Sequence, residues 1–128
     1  MPFNSPDGDL EQIFLTDYEL VDQYVQSGTL WAWGRNNYGQ LGNNTRVNRS
    51  SPVQTIASGT NWKSIASGYL HSLAIKTDGT LWTWGHNYYG QLGDDTIFYK
   101  SSPVQTIASG TNWKSIASGT YHSLSIRD

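Results

Sequence analysis

The sequence contains the same unit twice. Thr29-Leu30-Trp31-Ala32-Trp33-Gly34 returns as Thr80-Leu81-Trp82-Thr83-Trp84-Gly85, an offset of 80 − 29 = 51 residues. The same offset carries Gly39-Gln40-Leu41-Gly42 onto Gly90-Gln91-Leu92-Gly93, and residues 50–68 recur as 101–119 without a change. Between 29–77 and 80–128, 14 of 49 positions differ, which marks an internal duplication. A unit of this size cannot bury its apolar face alone and must stack on its neighbours. A period near 50 is that of propeller blades, so the chain is expected to be all-β, with two blades per chain.

Local patterns agree with strands. In Leu30-Trp31-Ala32-Trp33 the two tryptophans share one face, as Leu73 and Ile75 do in Ser72-Leu73-Ala74-Ile75-Lys76, because side chains alternate along a strand. Thr77-Asp78-Gly79-Thr80 lies between two such runs, and Asp-Gly there is the strongest short-range hairpin signal, since both residues tolerate φ > 0. Residues 71–76 and 80–84 are therefore predicted to pair antiparallel. Residues 51–56, with Pro52 at the start, and 62–66 read as further strands. The domains divide as an arm over 1–28 and blade repeats over 29–79 and 80–128.

The series Leu-Trp-x-Trp-Gly-x-Asn-x-x-Gly-Gln-Leu-Gly, Ser-Pro-Val, Ile-Ala-x-Gly-x-x-His-Ser-Leu and Asp-Gly-Thr, spread over 29–128, resembles the regulator of chromosome condensation repeat. The resemblance implies a β-propeller, which members of that family usually build with seven blades in one chain. Its name-giving member is a guanine-nucleotide exchange factor that binds chromatin. Two repeats and an acidic arm place that activity last among the readings here.

The arm carries Asp7, Asp9, Glu11, Asp17, Glu19 and Asp22 with no Lys or Arg through residue 34, a charge of −6. Residues 35–128 hold eight basic and four acidic residues, 8 − 4 = +4. With a net charge of −2 no field gathers nucleic acid or acidic lipid, so neither is expected as a partner. There is no cysteine, and neither a signal peptide nor an apolar run suited to membrane insertion is read from the sequence. Leu10, Ile13, Phe14, Tyr18, Val21 and Tyr24 or Val25 fit a helical stripe. Alignment instead puts 20–25 in the place of 71–76. Together these predict a short helix or irregular segment near 9–15 and a strand near 19–26. The arm also resembles segments that precede such repeats in phage-like and environmental sequences.

No catalytic, cofactor or metal site is expected. His71 and His122 are repeat equivalents in Gly-x-x-His-Ser and read as rings that hydrogen-bond backbone between strands, and His86 reads as surface. No serine sits in a nucleophile motif, and neighbouring His and Ser on a strand face opposite ways. Asp94-Asp95 reads as a turn or cap, and the repeated glycines as turns needing φ > 0. Repeat-locked tryptophans read as core or inter-blade packing.

The differences between the copies point to binding. Arg46-Val47-Asn48-Arg49 stands opposite Ile97-Phe98-Tyr99-Lys100, Asn37 opposite Tyr88, and Tyr69-Leu70 opposite Thr120-Tyr121. Loops on a rigid scaffold carry binding residues, and aromatic and Arg side chains anchor interfaces. Tyr88, Ile97, Phe98, Tyr99, Arg46 and Arg49 are the candidate partner contacts. Two blades leave flanks uncovered, and an unpaired apolar edge invites another chain. His122, Leu124 and Ile126, with Leu20 and Tyr24 of the arm, are the candidate assembly edge. The expected partners are other copies of the chain, a trimer of six blades ahead of a tetramer of eight, and a larger assembly or surface glycan. The expected role is structural or attachment, as in a virion or surface appendage, with a carbohydrate-binding lectin as the alternative.

Overall fold

The computed structural model describes residues 27–57 and 59–128, and every strand is antiparallel to its neighbours. The readings for the arm, including a strand near 19–26 and an edge role for Leu20 and Tyr24, lie outside the described residues. In chain order the strands are β1 (Trp31–Gly34), β2 (Arg49–Gln54), β3 (Trp62–Ser67), β4 (His71–Lys76), β5 (Leu81–Gly85), β6 (Lys100–Gln105), β7 (Trp113–Ser118) and β8 (Ser123–Arg127). No helix occurs among the described residues.

The sheets are not cut where the repeats are. The central sheet runs β3-β4-β5-β6, the last two strands of one repeat with the first two of the next. Two-stranded sheets, β1-β2 and β7-β8, flank it. The 51-residue unit is thus out of frame with the blade, and the chain is one whole blade between two half-blades. The Asp-Gly turn sets this frame by joining β4 to β5, with His71 opposite Gly85 and Ile75 opposite Leu81. The Gly79 amide donates to the Lys76 carbonyl at 2.9 Å. Only Gly79 of the pair takes a positive φ, +85°, so the turn is of the longer kind that ends in a left-handed glycine. Asp78 accepts the Thr80 amide and hydroxyl at 3.0 and 2.6 Å, and these bonds hold its carboxyl below the usual carboxylate range.

Equivalent residues of the two repeats meet different surroundings. Leu73 and Ile75 in β4 are each 1% exposed, whereas their repeat equivalents Leu124 and Ile126 in β8 are 62% and 64% exposed. Trp84 in β5 is 3% exposed and its equivalent Trp33 in β1 is 62%. Burying each such side chain contributes roughly 1.5–3 kcal/mol. The core reading of the tryptophans therefore holds for Trp62 and Trp84, which meet edge to face at 6.1 Å between ring centroids, and needs correcting for Trp31 and Trp33. Both are exposed because, among the described residues, no strand stands beside β1 as β4 stands beside β5.

Blades are tied together by the Gln-Leu-Gly loop. The Gln40 carbonyl accepts the Ser72 hydroxyl and the Trp84 indole N–H, both at 2.8 Å, while Leu41 is buried. Gly42, at φ +72°, lies under the same indole, where a Cβ would fall 2.8 Å from Nε1. Each long loop is organised by one buried asparagine. Asn87 accepts the Leu92 amide at 3.0 Å and donates to the Thr96 and Phe98 carbonyls at 2.9 and 3.0 Å. Asn36 does the same in the first repeat with Leu41, Thr45 and Val47.

Replacing Asn87 by Ala strands the buried Leu92 amide and removes the partner of the Thr96 and Phe98 carbonyls, so N87A is expected to cost about 2–4 kcal/mol, read as a lowered urea midpoint at unchanged m-value.

Candidate functional site

The β3–β4 turn and the β5–β6 loop leave the same end of the central sheet, because His71 pairs with Gly85. The equivalent turn and loop of the half-blades join them there. At that end lie most of the positions that differ between the repeats. Tyr121 lies 5.0 Å from Tyr89 and 6.3 Å from Tyr69, Tyr89 lies 5.1 Å from Tyr88, and His86 lies 6.1 Å from Tyr89 and 4.6 Å from Tyr38, all between centroids. Tyr69, Tyr88, Tyr89 and Tyr121 are each between 47% and 65% exposed. The result is a continuous aromatic face built from four loop segments. His86 is half-buried rather than fully at the surface, with Nδ1 2.8 Å from the Gln91 amide nitrogen.

The six partner-contact candidates separate into groups. Tyr88 belongs to the aromatic face. Tyr99 lies under Arg46, whose guanidinium stands 4.6 Å above its ring and donates to its hydroxyl at 2.8 Å, so the two divergent loops touch across the blades. Ile97 and Phe98 are exposed and line a shallow hollow with Gly90 and Asp95. Arg49 sits in β2 opposite Gly34. Of the assembly-edge candidates, Leu124 and Ile126 lie on β8 and His122 just before it, all exposed. The sequence reading passed over Tyr38 and Tyr89. They are identical in the two repeats, so the search for differences could not find them.

The histidine reading needs one correction. The His71 ring meets a side chain instead of backbone: its Nε2 lies 3.0 Å from Ser123 Oγ in the next half-blade. Ser123 Oγ donates to the Gln91 carbonyl at 2.7 Å, so the imidazole must donate to the hydroxyl from Nε2. A serine whose proton is directed at a carbonyl is a tie between blades, not a nucleophile. Gly68 makes room for the ring, since a Cβ there would collide with it, which explains the Gly-x-x-His spacing. Asp94 behaves as a turn anchor. Burial acts to raise its pKa, but bonds from Thr96, Lys100 and Asn87 hold it below the usual carboxylate range. Among the described residues no three metal-ligating side chains gather at one point.

With this geometry in view, comparison with known proteins is consistent. The family model for the regulator of chromosome condensation (RCC1) repeat matches residues 27–75 and 78–126. The E3 ubiquitin-protein ligase HERC2 of Homo sapiens is 35% identical over 103 residues, covering 78% of this chain and 2% of that protein. The protein RCC2 homolog of Danio rerio is 34% identical over 100 residues, covering 70% and 20%. Among solved structures, human WBSCR16 superimposes with a TM-score of 0.68 at 25% identity, covering 80% of this chain and 27% of that one. Yeast RCC1 (Prp20) bound to Kap60 gives 0.63 at 30% identity, covering 78% and 24%. The architecture is thus that of β-propeller blades. The chain spans 2–20% of the length of these curated relatives.

Burial, chiefly, pushes the His71 imidazole below its ordinary value, and the charges of His86 and His122 act in the same direction. A histidine held neutral in the fold leaves the unfolded chain as the better proton binder. Stability is therefore full above about pH 6.5 and falls as the pH drops below it. His71→Gln should flatten this slope, as read from urea midpoints across the range.

Proposed function

Because this chain belongs to the regulator of chromosome condensation repeat family, we propose that it works as a non-enzymatic protein-binding module in a structural or attachment role, as in a virion or surface appendage. The observation that carries the reading is the aromatic face of Tyr69, Tyr88, Tyr89 and Tyr121, set beside the Arg46–Tyr99 pair and Phe98. Exposed aromatic and Arg side chains on rigid loops are what protein interfaces use as anchors. Among the described residues a half-blade stands open on each side of the central sheet, which supports assembly with other copies, three ahead of four. The acidic arm, residues 1–28, is assigned to assembly or attachment. Among relatives, yeast RCC1 (Prp20) is itself solved in complex with a protein, Kap60.

A second reading, a carbohydrate-binding propeller, draws on the same rings, since exposed tyrosines can stack on sugar faces.

Affinity capture should separate the surfaces. Phe98→Ser with Tyr99→Ser, and Tyr88→Ser with Tyr89→Ser, are each expected to lower the yield of a captured protein roughly tenfold, the effect of losing one or two anchors. A partner retained by both pairs would remove the aromatic face from the account. Saturable, tyrosine-dependent binding on a glycan array would favour the second reading instead.

A further inference from the structure

The two half-blades complement each other, and we propose that a second copy of this chain fills the gap: β8 of one copy pairs antiparallel with β1 of the next, in the register that joins β4 to β5. The inference rests on the assembly reading above and fixes its geometry.

The chain already contains this joint once. β8 is the repeat equivalent of β4, and β1 is that of β5. Within the central sheet His71, Ser72, Leu73, Ala74 and Ile75 face Gly85, Trp84, Thr83, Trp82 and Leu81. Shifted by 51 residues, the same ladder sets His122, Ser123, Leu124, Ser125 and Ile126 against Gly34, Trp33, Ala32, Trp31 and Leu30 of the next copy. Of these ten positions only two differ, Ala74 against Ser125 and Thr83 against Ala32, each small for small. The two edges are therefore built for one another and, among the described residues, meet nothing. Leu124, Ile126 and Trp33, exposed here, would acquire the buried surroundings of Leu73, Ile75 and Trp84.

Three side-chain contacts repeat with the ladder. The Gln91 carbonyl already accepts Ser123, as Gln40 accepts Ser72, but its counterpart at Gln40 also accepts the Trp84 indole. Trp33 of the next copy supplies that donor to Gln91. His122 takes toward Ser72 of the next copy the place that His71 holds toward Ser123. Lys76 stands 4.9 Å over Trp62 and 4.5 Å over Trp82, whereas Arg127 stands 5.0 Å over Trp113 alone. Trp31 of the next copy completes the second sandwich. A head-to-tail joint of this kind closes into a ring with two blades per copy.

The chain has no cysteine, so a designed pair reports without background. β1 and β8 lie on opposite flanks of the central sheet, and an Ala32→Cys, Leu124→Cys disulfide can join only separate copies. Oxidation is expected to give a ladder that ends in one closed species. The Ala32→Cys, Ser125→Cys pair, one residue out of register and on opposite faces, should give roughly tenfold less. Leu124→Asp with Ile126→Asp places both charges on surfaces exposed in a lone chain, so the variant should keep its circular dichroism. Its light-scattering mass should fall from a small multiple of 14.3 kDa to 14.3 kDa itself. An oligomer whose in-register pair fails to cross-link overturns the register and leaves the assembly reading standing. A wild-type chain of 14.3 kDa at tens of micromolar overturns both, and is the outcome if residues 19–26 cover β1 within their own chain.

Discussion

The pairing of β4 with β5 is the contact on which the rest of this molecule depends. It ties the end of one repeat to the start of the next through the Gly79 turn, so the one four-stranded sheet among the described residues straddles the boundary between them. A blade built this way leaves, among the described residues, a two-stranded half-blade on each side of the central sheet. The exposure of Leu124, Ile126 and Trp33 follows from that frame and not from any change in their sequence.

The second constraint is how blades are held to each other. Main-chain carbonyls do much of this: Gln40 receives Ser72 and Trp84, and Gln91 receives Ser123, which in turn is met by His71. These contacts use the residues that the two repeats share. The loops beyond them are anchored by Asn36 and Asn87 and are otherwise free to diverge. Conserved scaffold and divergent rim are thus separated in space, and the divergent positions meet at the end where Tyr69, Tyr88 and Tyr121 gather.

Much of this was legible in the sequence. The repeat, the alternating runs and the Asp-Gly turn specify strands and their pairing because they are local signals, and β4–β5 forms where they point. The glycines of the Gln-Leu-Gly loops take the positive φ that their spacing suggests. What lay beyond reach depends on which neighbour a residue meets. Trp33 and Trp84 sit in the same motif, and the presence of β4 and of the Gln40–Gly42 loop beside one of them separates surface from core. The tie between His71 and Ser123 spans 52 residues and joins the histidine of one repeat to the serine of the other. The aromatic face draws on four segments, and its repeat-identical members, Tyr38 and Tyr89, carry no mark of divergence.

The central claim is that β8 is an edge only in a lone chain. Amide hydrogen exchange at Ser123–Arg127, measured beside His71–Lys76 in the same sample, tests it most directly. If the half-blades complete one another, the two strands exchange with similar slow rates and β1 is protected with them. Fast exchange along one side of β8, while β4 stays protected, would show that the edge is open and contradict the account.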